Sequence, residues 1–475
     1  MPRELVTIQV GQCGNQIGTR FWELALREHA HYNPRGLFDE PISSFFRNTD
    51  DRYNPPKELE VGDGTGRIRT LKARAVVVDM EEGVVNGMLS GKLGTLFDDR
   101  QMLTDVSGSG NNWAHGFNVY GPQYREGLLE TVRAAAERCD SLQSFLMMHS
   151  LGGGTGSGVG SYLLEALADE YPEVYRFNCS VFPSKDDDVI TSPYNAALSL
   201  AKLAEHADCV LPVENQALMD VVENIAARGT GRVRAGSTAD GVAAGATGEK
   251  PWDRMNGIAA NLLLNLTSSV RFEGQLNVDL NEITMNLVPF PRMHFLMGAM
   301  SPLAAPADVG RAAAPRAVDQ VFGEVLQSQN QLIKADPRAS TCLACGLLLR
   351  GDVAISDVSR CVASRIRPAL KMAHWNGDGF KIGMCSKPPV GLNYSLLALQ
   401  NNCAIRSTFQ AMSDRAFTLY KRGVYLHHYT QYIDEGVFGE AFEALRGLAD
   451  GYAALDGMQP PQRIPRLRPI GLGFA

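Results

Sequence analysis

The chain has 475 residues, 45% of them hydrophobic and 20% charged, which is enough for a sizeable core in two or three domains. Its net charge of −7 leaves no basic surface for nucleic acid or an anionic membrane. No run of eighteen apolar residues is present to span a bilayer.

The opening "MPRELVTIQVGQCGNQIG" reads as a strand over 5–10 entering a glycine turn, not as a signal peptide. A helix is expected from near Gln12, and "RAVVVDM" (74–80) is a second short β-branched strand. "SFLMMHS" (144–150) runs into "LGGGTGSGVG" and then a helical pattern to about Glu170. "YRFNCSVFP" (175–183), a helix near 193–206 and "DCVLPVEN" (208–215) continue the alternation. Continuous apolar strands alternating with amphipathic helices predict an α/β domain whose parallel sheet is covered on both faces. In such sheets ligands sit where the loops leave the carboxyl ends of the strands.

Residues 226–250 are rich in Gly, Ala and Thr and read as a flexible surface insertion. A long helical run follows from Pro251 to about 272. "ITMNLVPFP", "ACGLLLRGD", "GFKIGMC" and "LLALQNN" then read as strands of a second, α+β domain, and 407–455 reads as helical. The expected division is a nucleotide domain over 1–250, a linking core helix over 251–272, an intermediate domain over 273–400, and a helical region with a basic tail over 401–475. Nine scattered cysteines give no disulfide framework and fit a reducing, cytosolic compartment. The one close pair, Cys342 and Cys345, reads as two buried thiols of a strand.

The loop 149–160 is not a Walker A motif, because Ser157 follows Gly156 where that motif has lysine. It follows a strand and opens a helix, so backbone N–H groups and the helix dipole can hold phosphate without an ammonium group. Side chains would block that approach, hence the glycines. Such a loop needs help from others. "GQCGNQIG" (11–18) and "SGSGNNWAHG" (107–116) are two further glycine turns, and Asp79-Met80-Glu81-Glu82 ends a strand with carboxylates suited to a hydrated magnesium ion. Three glycine turns and an acidic strand end in one α/β domain converge on a nucleotide.

With "SPYNAALS", "RFEGQLNVDLNE" and "LVPFPRMHF", those motifs resemble the tubulin family in order from residue 5 to about 455. "DMEEGVVNGML", "DDDVITSPYN" and the insertion look most like the epsilon class. The resemblance implies a tubulin-type GTPase fold that binds GTP or GDP with Mg2+. It implies Gly11, Gln12 and Cys13 beneath the phosphates and Gln16 beside the guanine or ribose. It places Asn111, Ser150 and the run Gly152, Gly153, Gly154, Thr155 and Gly156 on the phosphates, and Asp79 and Glu81 near the metal through water. Asn215 and Asn256 match the amides that read guanine, Trp252 the stacking aromatic, and Asp188 a ribose-side carboxylate. Ser192 departs from alpha- and beta-tubulin, which have a sugar-contacting Glu there. The last thirteen residues hold Arg463, Arg466 and Arg468 and no carboxylate, so contacts through an acidic tail are not expected.

No general base stands in the nucleotide loops. "LNVDLNE" supplies Asp279 and Glu282, which the resemblance implies act in trans on the GTP of a stacked neighbour, with Glu282 orienting the attacking water. Read without the resemblance, both are ordinary helix charges. The expected role is a GTP-binding assembly subunit of centriole and basal-body microtubules, with delta-tubulin and possibly alpha- and beta-tubulin as partners. A non-hydrolysing scaffold or cap and a self-contained monomeric NTPase are the alternatives. The Ala- and Pro-rich stretch 301–322, at the family's lateral-contact loop, favours a specialised role.

Overall fold

The computed structural model describes residues 3–59, 66–184, 187, 189–229, 251–303 and 317–459. Six strands form the first sheet: β1 (Glu4–Val10), β2 (Ala75–Asp79), β3 (Met102–Thr104), β4 (Leu142–Ser150), β5 (Tyr175–Phe182) and β6 (Cys209–Glu214). Their order is β6-β5-β4-β1-β2-β3, and every pairing is parallel. The two-residue period of a strand explains why both faces are apolar. Val6, Ile8 and Val10 of β1 join Phe145 and Met147 of β4 in one core, while Leu5, Leu146 and Met148 face another. The helices Gly121–Ala136, Gly160–Glu170 and Ser192–His206 cover the first face. Gly11–Tyr32 and the core helix Pro251–Leu266 cover the second.

The second sheet is mixed. Its strands are β7 (Met297–Ser301), β8 (Thr341–Arg350), β9 (Lys371–Met372), β10 (Phe380–Cys385) and β11 (Ser395–Asn402), ordered β7-β11-β8-β9 with β10 also paired to β8. Cys342 and Cys345 lie buried within β8, as their spacing predicts. The helices Arg406–Lys421 and Gly436–Asp456 pack on Ser192–His206, where Tyr194, Tyr429 and Phe438 meet edge to face at 5.2–5.7 Å.

One buried cluster ties these parts together. Glu28 of the first helix forms an ion pair with Arg271 Nη1 at 2.8 Å and accepts a hydrogen bond from Arg350 Nη1 at 3.0 Å, the arginines coming from the end of the core helix region and from β8. Burial pushes the Glu28 carboxyl up, but Arg350 and Arg271 outweigh it and hold the group below its ordinary range.

The structure corrects three readings. The stretch "ITMNLVPFP" is not a strand: Leu280–Leu287 is a helix, and Leu280, Ile283, Thr284 and Leu287 form its buried stripe. β7 was not anticipated, because "MGAMS" has no β-branched residue and carries a glycine at its second position. The expected helix over 407–455 is broken between Lys421 and Gly436. The helix Asn215–Gly229 runs into the first residues of the expected insertion, and 230–250 lie outside the described residues. So do 304–316 and the three C-terminal arginines. Among the described residues no helix is long and apolar enough to cross a membrane.

Candidate nucleotide site

The loops leaving the carboxyl ends of the strands surround a cavity of about 540 Å3. From β1 come Gln12, Cys13 and Gln16. Gly11, at φ +72°, makes the turn beneath them, and a Cβ there would stand 2.9 Å from the Gly156 nitrogen. Gly11 and Gly156 thus meet as backbone under the floor instead of lining it. The Cys13 thiol is pushed up to about 12, by burial first and then by the charge of Asp187, so it lies against the site as an uncharged contact.

From β2 come Asp79 and Glu81, both lining the cavity. Asp79 is buried, receives the Asn15 amide at 3.2 Å, and is pushed up to about 6 chiefly by desolvation. Among the described residues no cationic side chain pairs with Asp79, and a buried carboxylate of this kind beside a second carboxylate suits a divalent ion. Among the described residues no group of three or more ligating side chains gathers, so such an ion would keep water and phosphate oxygens in its shell. That fits Mg2+, which Asp79 and Glu81 would hold through water.

The turn 107–112 closes over this pair. Gly108 donates its N–H to the Met80 carbonyl at 2.7 Å, and Asn111 enters the cavity wall at φ +53°, a conformation Asn tolerates. The Ser109 and Thr155 hydroxyls meet at 3.0 Å. From β4 come Ser150, Gly152, Gly153, Gly154 and Thr155, all lining the cavity. The glycines divide into two kinds. A Cβ on Gly154 would reach 2.3 Å from Ser109 Oγ, and one on Gly158 would reach 2.5 Å from the Trp113 carbonyl oxygen. Those two let loops pack on each other. Gly153 has nothing nearer than 3.8 Å and keeps the wall itself low. The sequence reading assigned all of them to phosphate approach; loop-on-loop packing accounts for some.

His149 supports the loop from below. Its Nδ1–H donates to the Gly156 carbonyl at 2.9 Å, and the Ser180 hydroxyl donates to Nε2 at 3.0 Å. Burial pulls this imidazole down to about 4, so it stays neutral.

At the other end of the cavity stand Asn215, Trp252 and Asn256, with the Asn256 amide donating to Gln16 Oε1 at 3.4 Å. Trp252 is 53% exposed, which rules out a buried core aromatic. Asp188 lies outside the described residues, whereas Asp187 lines the cavity and accepts the Ser192 hydroxyl at 3.1 Å.

Sequence reasoning passed over Ser109, Asp187 and Asp253, all in the wall, and Asn195 behind it. The Asn195 amide donates to the carbonyls of Asn111 and Gly152 at 2.8 Å each, and its oxygen accepts the Trp113 N–H at 2.9 Å and the Tyr429 hydroxyl at 2.6 Å. Fully buried, it stitches two glycine turns together. Its motif "SPYNAALS" was visible, but its role depends on loops far away in the chain.

Asp279 and Glu282 are elsewhere. Asp279 caps the Leu280–Leu287 helix by accepting the Glu282 N–H at 2.7 Å, and it pairs with Arg3 at 3.1 Å. Asn281 Oδ1 accepts the Ser144 hydroxyl at 2.8 Å. Arg3 and Ser144 stand at the amino ends of β1 and β4, so this helix sits at the end of the sheet opposite the cavity. From Ser144 to Ser150 the strand rises roughly 20 Å. Glu282 is partly exposed there, with Oε2 at 2.9 Å from Lys381 Nζ.

Comparison with known proteins identifies the family. Residues 4–223 match the GTPase domain of the Tubulin/FtsZ family, and 291–414 match the Tubulin C-terminal domain. The chain belongs to the tubulin family, and its nucleotide is accordingly GTP or GDP. It is 51% identical to the Tubulin epsilon chain of Mus musculus and 50% to that of Homo sapiens, each over 97% of this chain and 98% of the relative. Against the Tubulin beta-1 chain of Homo sapiens it is 33% identical over 95% of this chain and 93% of that one.

Proposed function

We propose that this chain is an assembly GTPase of centriole and basal-body microtubules, forming or stabilising triplets with other tubulins, delta-tubulin first among them and alpha- or beta-tubulin as lattice neighbours. Its own cavity holds GTP with Mg2+ at Asp79 and Glu81. Backbone amides of the glycine turns bind the phosphates, Asn215 and Asn256 read guanine, and Trp252 stacks on it.

The observation that carries this reading is the separation of Glu282 from the cavity. A carboxylate at the amino end of the sheet cannot reach its own nucleotide, which supports a role on the nucleotide of a subunit stacked beneath. There Glu282 orients the attacking water, and Asp279 holds the helix that presents it. Bound magnesium would neutralise charge developing on the phosphates. A GTP-bound subunit that does not hydrolyse is the second reading, favoured by the Lys381 ammonium that already occupies Glu282.

Single-turnover hydrolysis in co-assembled subunits tests the proposal. Glu282→Ala is expected to slow turnover of the neighbour's GTP by about 100-fold or more, the scale on which one catalytic proton-handling or water-orienting group acts. Unchanged turnover would reject the trans mechanism.

A further inference from the structure

We infer that Tyr429 is a positioning residue for the phosphate turns: through Asn195 it sets the direction of a backbone N–H that faces the nucleotide. The inference rests on the GTP reading above. Tyr429 belongs to the segment 422–435, between the Arg406–Lys421 and Gly436–Asp456 helices, which supplies no residue to the cavity wall. Three side chains from the first half of the chain hold that segment by its carbonyls. The Tyr194 hydroxyl donates to Val424 at 2.9 Å, the Asn112 amide to His428 at 2.8 Å and the Asn118 amide to Tyr432 at 2.9 Å. Tyr429 reaches back the other way. Its ring is fully buried against Tyr194 and Phe438, and its hydroxyl donates to Asn195 Oδ1 at 2.6 Å, with the Thr191 carbonyl farther off at 3.5 Å.

An asparagine amide carries an acceptor on one side and donors on the other, and its neighbours decide which way round it sits. The Trp113 N–H and the Tyr429 hydroxyl both donate to the oxygen, which leaves Nδ2 toward the carbonyls of Asn111 and Gly152. The Ser192 hydroxyl also faces the Gly152 carbonyl, but at 3.4 Å it is the more distant donor. In a planar trans peptide the C=O and the following N–H point in opposite directions. A Gly152 carbonyl turned back to Asn195 therefore turns the Gly153 N–H forward, on the side where Gly153 lines the cavity. Among the described residues nothing accepts that N–H, and a phosphate oxygen is the acceptor it suits.

The test measures GTP dissociation constants of the full chain with Mg2+, and denaturant unfolding, for the native protein, Tyr429→Phe and Tyr194→Phe. Each variant loses one hydroxyl that docks the segment 422–435, but only the Tyr429 hydroxyl bonds to Asn195. Tyr429→Phe is expected to weaken GTP binding about fivefold, the factor that corresponds to the net worth of one hydrogen bond. Tyr194→Phe is expected to stay within about twofold of native affinity at a comparable loss of stability. A cycle adds a second measurement: in an Asn195→Ala background, Tyr429→Phe is expected to change GTP affinity by less than about twofold. Should Asn195→Ala not fold, the two single variants decide alone. Native affinity in Tyr429→Phe, an equal loss in Tyr194→Phe, or an undiminished fivefold loss without the Asn195 amide overturns the inference and leaves GTP binding intact. If the native chain binds no guanine nucleotide, the proposed function fails and this inference with it.

Discussion

The two ends of the six-stranded sheet are built on opposite principles. At the carboxyl ends, glycine turns bring backbone against backbone, and the polar side chains that reach the cavity come from scattered positions between Gln12 and Asn256. At the amino ends, one short helix is fixed by side chains: a cap from Asp279, an ion pair to Arg3, and another between Glu282 and Lys381. The first arrangement makes a rigid, preformed cradle in which an added atom is costly. The second makes a surface whose charges can exchange partners when another subunit arrives. The hydrolysis by contact proposed above would need both.

The sharpest way to test the contrast is to add one carbon at the cradle. Gly158→Ala would place its Cβ at 2.5, 2.9 and 3.0 Å from backbone atoms of Trp113, Gly116 and Phe117, none of which can rotate away. Overpacking of this kind is expected to cost about 3 kcal/mol or more, read by denaturant unfolding, with loss of GTP binding. Gly153→Ala meets nothing closer than 3.8 Å, so stability should hardly change while triphosphate affinity drops through the raised wall. If both variants lose stability alike, the division of the glycines is wrong.

Acid should also distinguish the ends. His149 under the cradle is pulled down to about 4 from an ordinary value of 6.5, and His294 likewise. Between those values the unfolded chain binds a proton that the folded chain refuses, so stability falls as pH drops from 6.5 to 4. Each group contributes up to about 1.4 kcal/mol per pH unit in that window. His149→Gln, which keeps an amide donor and acceptor, is expected to make the fall shallower by up to that amount. Glu28 acts later: its folded value is depressed, so its contribution persists above the ordinary carboxylate range and is lost only below about pH 4.5. Unfolding curves across pH 4 to 7 decide this, and an unaltered slope in His149→Gln would place the titration elsewhere.

The cradle was legible in the sequence because each of its turns is local. "GQCGNQIG", "SGSGNN" and "GGGTGSG" carry their conformational demands within a few residues, and alternating apolar strands say where their ends must be. Side chains that act across distance were not legible. Asn195 bridges turns more than forty residues away, and Glu28 meets Arg350 across 322 positions. The amino-end helix was misread for a different reason. "ITMNLV" is β-rich by residue type, and the cap that makes it a helix is an aspartate also read as a catalytic charge.

That double reading of Asp279 gives the smallest effect and a discriminating one. Asp279→Ala removes the oxygen that accepts the Glu282 N–H, a loss worth about 1 kcal/mol for a helix cap. The partner Arg3 is 45% exposed, so its ion pair adds little. Thermal unfolding should therefore shift by only a few degrees. Turnover of a stacked neighbour's GTP should fall further than that, because Glu282 is oriented from the first turn that the cap secures. Asp279→Asn separates cap from charge, since asparagine caps as well as aspartate but carries no charge. If Asp279→Asn restores turnover to near the native rate, Asp279 is a positioning residue and Glu282 alone handles the water. If it remains as slow as Asp279→Ala, the charge itself takes part, and the amino end of the sheet contributes two working carboxylates to its neighbour.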